Sequence, residues 1–224
     1  MRVGEDERVI RRAARLDLDR LARPAGDSNA VLDRLVGIGR NGQPLVVYGP
    51  YPSGVQDLAA ATKLPMGIEF LPGRHPPLRN IPATGRPLRD VLDEMVAVDP
   101  RYEWPEMEGV IVIRPATSWT DPDHALFRIV RPVRLIDVSP QDAVQRLARE
   151  LGYPHPLSFP GGKLLTLDLP QGTVLDLANA IVRAHGELTW TLEPEPPLDG
   201  ARAGYRYTFT FSVMGGSGLG FGAR

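Results

Sequence analysis

The feature that most constrains the fold of this chain is an internal repeat. At an offset of 89 residues, VQDLAAATKLPMGIEF (Val55 to Phe70) aligns without a gap to VQRLARELGYPHPLSF (Val144 to Phe159), with six of sixteen positions identical, where about one is expected between unrelated segments. At an offset of 86, LRDVLDEMVAVDPRYEW (Leu88 to Trp104) aligns to VLDLANAIVRAHGELTW (Val174 to Trp190) and keeps Asp90/Asp176, Val96/Val182 and Trp104/Trp190. The three-residue change of offset falls at GRHPPLR, a loop segment, where length differences are tolerated.

Four segments of the repeat place apolar residues at i, i+3, i+4 and i+7, the stripe of a helix with one buried face. They are Val55, Leu58, Ala59, Thr62; Leu88, Val91, Leu92, Met95; Val144, Leu147, Ala148, Leu151; and Val174, Leu177, Ala178, Ile181. Ser53, Ser139 and Thr173 stand where a hydroxyl can accept a free backbone N–H, with Gln56, Asp142 and Asp176 three residues on, and Pro87 and Pro140 suit a first turn. Between the helices, Leu165, Leu167 and Leu169 alternate with polar residues, as do Tyr205, Tyr207, Phe209, Phe211 and Val213, so each segment predicts a strand with one buried face. Leu45 to Tyr48 is a further strand, and the apolar run Val110 to Ile113 closes a hairpin with Tyr102 to Trp104.

The expected architecture is therefore α+β: two duplicated βαββαββ modules of small mixed sheets with helices, preceded by a helical N-terminal extension. The expected boundaries are an extension over 1–43, with a weak amphipathic helix over 5–22, a first module over 44–115, a linker over 116–125 (within PATSWTDPDHA), a second module over 126–213 and a Gly-rich flexible tail over 214–224.

The stretch IPATGRPLRDVLDEMVAVDPRYEWPEMEGVIVIRP resembles the second half of the small βαββαββ module at the N-terminus of bacterial outer-membrane secretins (N0) and of signal-transducing TonB-dependent receptors (STN). The resemblance covers about Leu45 to Pro115 and, more faintly, Leu126 to Val213. It rests on apolar positions and turns, with no catalytic signature. It implies a non-enzymatic protein-interaction or adaptor protein of the bacterial cell envelope. Within these 224 residues no receptor barrel, plug or secretin domain follows, and two modules stand in tandem, a departure from the family's pattern.

Composition narrows the alternatives. Lys+Arg 26 against Asp+Glu 27 leaves a net charge of −1, without the basic field that recruits nucleic acid. No apolar run of the length of a membrane span occurs, so membrane insertion is not expected and a soluble protein is. The first thirty residues contain no apolar leader core, which predicts a cytoplasmic chain as written and a periplasmic or envelope one where a leader has been removed. There is no Cys, so disulfides, thiolate nucleophiles and Cys-ligated zinc are excluded.

Candidate chemistry is sparse. GIGRNG (Gly37 to Gly42) has the G-x-G-x-x-G letters, but it follows a helical pattern (Asn29 to Val36) and precedes a strand, the reverse of a dinucleotide fingerprint, so it predicts a helix C-cap and turn. His75, His124, His155 and His185 stand singly, without metal-ligand spacing, and Asp121, Asp123 and His124 read as a linker. Asp90 and Asp176 fit a helix-dipole role, and Trp104 and Trp190 fit core packing. No catalytic, metal or cofactor-binding residue is assigned, and no cofactor is expected. The functional surface expected is backbone: a protein partner docking by edge-strand addition, with Tyr51, Trp119, Tyr205 and Tyr207 as candidate anchors. Two other classes stay open: a small-molecule or glycan binder in the cleft between modules, and a hydrolase with a spatially assembled site. Oligomeric state is not read from the sequence.

Overall fold

The computed structural model describes residues 28–71, 73–152, 162–195 and 206–214. The expected helix over 5–22, His155, the end of the repeat at Phe159, Tyr205 and the Gly-rich tail beyond residue 214 lie outside them. The chain is mixed α+β and divides into two compact units. The described residues of one fall within 27–116 and 186–224, and those of the other within 117–185.

In the discontinuous unit the elements run α1 (Ser28–Leu32), β1 (Val46–Tyr48), α2 (Pro52–Thr62), β2 (Met66–Glu69), β3 (Asn80–Pro82), α3 (Leu88–Val98), β4 (Tyr102–Glu103), β5 (Glu106–Met107) and β6 (Val110–Pro115). β11 (Leu188–Glu195) and β12 (Arg206–Val213) complete it. All eight apolar-stripe positions of α2 and α3 are buried, as their spacing requires. All of them but Thr62 share one core with Val47 and Ile81 of the antiparallel pair β1–β3 and with Met66, Ile68, Ile111 and Ile113 of the larger sheet. Each such aliphatic side chain contributes about 1.5–3 kcal/mol on burial, which makes the stripe the main reason these helices persist.

The larger sheet has the order β12-β11-β2-β6-β4, with β5 also on β6. β11, β2 and β6 are mutually parallel, and the outer strands are antiparallel. Every residue of β2 and β6 is buried, which explains why Val110 to Ile113 reads as a continuous apolar run and not as alternation. On the face away from the helices, Gly67 lies beneath the Trp190 indole, while Val110, Val112 and Leu192 are also buried.

The second unit holds α4 (Ala116–Thr120, whose first residue belongs to the other unit), a 3-10 turn at Ala125–Phe127, β7 (Ile129–Val130), β8 (Val133–Val138), α5 (Pro140–Glu150), β9 (Leu165–Leu169), β10 (Gly172–Thr173) and α6 (Val174–His185). β8 pairs antiparallel with β9, and β7 with β10. In the β8–β9 bulge Asp137 adopts φ 51°, held by its N–H donating to Thr166 Oγ1 at 3.0 Å, a left-handed geometry that Asp tolerates better than most residues. Reciprocal caps close two helix starts. Asp142 N–H donates to Ser139 Oγ at 3.1 Å while Ser139 Oγ donates to Asp142 Oδ2 at 2.7 Å. Thr173 and Asp176 make the same exchange at α6.

Several expectations need correction. The second module does not close on itself over 126–213. Its last two strands leave the 117–185 unit and extend the sheet of the first, β11 lying beside β2, because a parallel neighbour is fixed by tertiary pairing and leaves no local mark. The segment expected as a linker over 116–125 is α4 and the start of the 3-10 turn, with Trp119 and Leu126 buried. Ser53 lies inside α2, whose N-cap is Tyr51, and Pro87 is the N-cap of α3. The helix before GIGRNG ends at Leu32, and the glycine run is a turn, closed by Gly39 N–H donating to Gln43 O at 2.9 Å, with no helix C-cap.

Candidate functional site

β12 is the terminal strand of the larger sheet. It pairs with β11 along its whole length, from Leu188 opposite Val213 to Glu195 opposite Arg206. Among the described residues no strand pairs with its other side. Alternation sets its faces: Phe209 and Phe211 are buried, while Thr208, Thr210 and Ser212 are half-buried on the opposite face. Ser212 Oγ accepts from Gln56 Nε2 of α2 at 3.2 Å, which ties the strand to the helix layer.

Backbone direction follows from two hydrogen bonds. Met214 N–H donates to Glu187 O at 2.7 Å, and Phe70 N–H donates to Leu192 O at 2.7 Å. In an antiparallel pair the N–H and C=O of one residue point to the same side and alternate along the strand. Residues 208, 210 and 212 therefore address β11, and Tyr207, Phe209, Phe211 and Val213 present N–H and C=O outward. Natural edges are blunted by lysine, proline, bulges or brevity. From Tyr207 to Val213 the sequence YTFTFSV has no charge and no proline, and the β11–β12 register runs without a shift. The opposite end of the sheet is blunted in this way, since β4 and β5 have two residues each and are separated from β6 by the turn at Glu108 (φ 52°) and Gly109 (φ 87°).

Of the anchors expected from sequence, Tyr207 is on this edge by register and Tyr205 lies outside the described residues. Trp119 is only 8% exposed and packs near Phe127, with ring centroids 6.5 Å apart, so it belongs to a core. Tyr51 is half-buried at the α2 N-terminus, in a cluster with Phe70 and His75. Tyr51 and Tyr207 thus stand on different elements of their unit, and Trp119 is buried within the other. Phe209 and Phe211 had shown only as strand alternation in the sequence, and nothing local there marks them as edge residues.

The Tyr51 cluster belongs to a clamp on the loop that carries the GRHPPLR insertion. His75 stacks on Phe70 at 4.4 Å, Tyr51 OH donates to Pro76 O at 3.1 Å, and Leu71 N–H donates to Tyr102 OH at 2.8 Å. Arg101 donates from Nε to Asp99 Oδ1 at 2.7 Å and from Nη2 to Arg74 O at 3.2 Å. Burial pushes the Tyr102 hydroxyl up to about 12. The Arg101 hydrogen bonds hold the Asp99 carboxyl below its ordinary range, although its burial acts the other way.

A depressed carboxyl contributes stability that is fully present above its unfolded value, 3.8, and is lost as pH falls through the folded value. With Arg101 44% exposed, solvent screening limits the effect, and Asp99→Asn is expected to cost about 1 kcal/mol at neutral pH. Urea unfolding of both proteins between pH 7 and pH 2 checks this. The gap should hold down to about pH 4 and then close; a gap that widens on acidification would contradict it.

Other titratable groups have structural places. His124 Nδ1 accepts from Leu126 N–H at 3.2 Å and caps the 3-10 turn, Asp121 Oδ1 accepts from Asp123 N–H, and His185 is buried at the end of α6. Trp104 Nε1 donates to Asp93 at 2.9 Å at the margin of the core, whereas Trp190 is fully buried. Among the described residues no group of three His, Asp or Glu side chains could hold a metal ion, and no helix is long and apolar enough to cross a membrane. The chain matches no family model, no curated protein and no solved structure.

Proposed function

We propose that this chain is a non-enzymatic protein-interaction protein that docks an extended segment by strand addition on the outer edge of β12. The observation that carries this reading is the eight-residue edge itself: regular, uncharged from Tyr207 onward, and presenting four outward N–H and C=O pairs. Main-chain hydrogen bonds to such an edge provide affinity, and alternate side chains provide selectivity. The reading agrees with the resemblance of Leu45 to Pro115 to secretin and receptor signalling modules, which implies an envelope setting. A duplicated origin of the two units is supported by the repeated sequence and by a similar pairing, since the strand before the first helix pairs antiparallel with a strand lying between the two helices in both β1–β3 and β8–β9.

A fluorescent (Thr-Val)4 peptide tests it by anisotropy, with the same peptide N-methylated at alternate residues as control. Saturable binding of the first and loss of binding by the control are expected. Equal binding of both, or binding of neither at a dilution where the chain sediments as a monomer, would remove main-chain pairing as the mode of docking.

A further inference from the structure

Resting on that reading, the occupant of the β12 edge can be named from its own pattern. We infer that the edge pairs with the β12 edge of a second copy of this chain, antiparallel across a two-fold axis at Thr210.

Same-face pairing requires residues whose numbers sum to an even value, since a one-residue slip would set Phe against Thr on every face. Among those registers, only the one centred on Thr210 pairs all four outward residues, 207 and 209 meeting 213 and 211 of the partner. It sets Phe209 opposite the partner's Phe211 and Thr208 opposite the partner's Ser212, the aromatic and hydroxyl pairs that stabilise neighbouring strands. Because 207, 209, 211 and 213 face outward, these pairs exchange about eight main-chain hydrogen bonds, and Thr210 meets its own equivalent as a non-hydrogen-bonded pair. A two-fold contact places each patch against itself, so like charges would collide. Here Arg206 is the only charge on the strand, and this register sends it to the partner's Met214. The edge is thus self-complementary where a protected edge would be self-repelling.

The chain has no cysteine, so introduced thiols report the register cleanly. A non-hydrogen-bonded antiparallel pair has its Cα atoms about 4.5 Å apart, within disulfide reach, while residue 208 lies about 13 Å from its own equivalent. Sedimentation of the full chain across concentrations should show a reversible monomer–dimer equilibrium, which Thr210→Lys weakens about tenfold by opposing two ammonium groups. Under mild oxidation Thr210→Cys should give a covalent dimer, Thr208→Cys and Ser212→Cys alone should not, and the two together should. Sedimentation as a monomer at every concentration, or equal cross-linking at 208, 210 and 212, would overturn the proposal. A monomer that binds the (Thr-Val)4 peptide would refute the second copy and leave strand addition standing, and a monomer that does not would refute both.

Discussion

Replacing Glu69 by Gln is expected to cost about 3–5 kcal/mol of folding stability, among the largest effects any single isosteric change should have in this chain. Arg114 Nε donates to Glu69 Oε2 at 2.8 Å, and the two side chains are 0% and 4% exposed. They stand at the ends of β6 and β2, one residue beyond the pair Ile68 and Ile113. Both side chains are buried, so removing the carboxylate charge takes from a buried guanidinium the carboxylate to which its Nε donates. Arg114→Met should cost as much for the converse reason. Replacing both by Met should restore most of the loss, because the pair's attraction chiefly offsets its own desolvation. Urea unfolding of the two single variants and the double one decides this. Single losses below about 1 kcal/mol, or a double loss equal to their sum, would show that the pair is not coupled in this way.

Gly67→Ala is expected to destabilise by about 3 kcal/mol, at the upper end of what one added methyl does in a packed interior. A Cβ built on Gly67 would lie 1.9 Å from Trp190 Cε2 and 2.3 Å from its Nε1. The indole occupies the space beside Gly67 across the parallel β2–β11 pair, where Trp190 is opposite Gly67. Trp190 is fully buried, so it cannot swing out without exposing a large apolar surface. Trp190→Leu alone should cost about 3–4 kcal/mol through the cavity it leaves. In the double variant the methyl occupies part of that cavity, and the combined loss should fall short of the sum by more than 1 kcal/mol. Strict additivity would mean that the two residues do not meet.

This contact also shows why the sequence disclosed some of the fold and withheld the rest. The four helices were legible because their signals are local: Leu88, Val91, Leu92 and Met95 recur on one face, and Thr173 with Asp176 forms a cap within one turn. The strands β6, β9 and β12 were legible for the same reason. Of their neighbours, β4 was legible as the hairpin partner of β6, and the long-range ones were not. Alternation in YTFTFSV tells which side chains share a face, but nothing in residues 188–213 reports that β11 lies beside Met66–Glu69, more than a hundred residues earlier. The duplication itself encouraged the wrong partner, since equivalent positions suggest equivalent modules, whereas Trp104 stays at the margin of a core and Trp190 enters one. Glu69 and Arg114 are separated by 45 residues, and each alone looks like an ordinary strand-end charge. At the candidate site the outward set 207, 209, 211 and 213 depends on which side β11 occupies, so the strand was readable and its free side was not. Trp119 was mistaken for an exposed anchor because Pro, Asp, Ser and Thr around it resemble a linker, although a large indole in a short helix is more stable buried.

Residue-resolved amide hydrogen exchange along β12 tests the central claim most directly, because inward and outward N–H groups alternate on one strand. At the dilution where the chain is a monomer, the amides of 208, 210 and 212 should be protected by β11 while those of 207, 209, 211 and 213 exchange freely. Added strand peptide, or a rise in chain concentration, should then protect the outward set alone. Free exchange at every position would mean that the hairpin is not part of the sheet. Outward amides protected at all concentrations without peptide would mean that the chain seals this edge itself, and would contradict docking at β12.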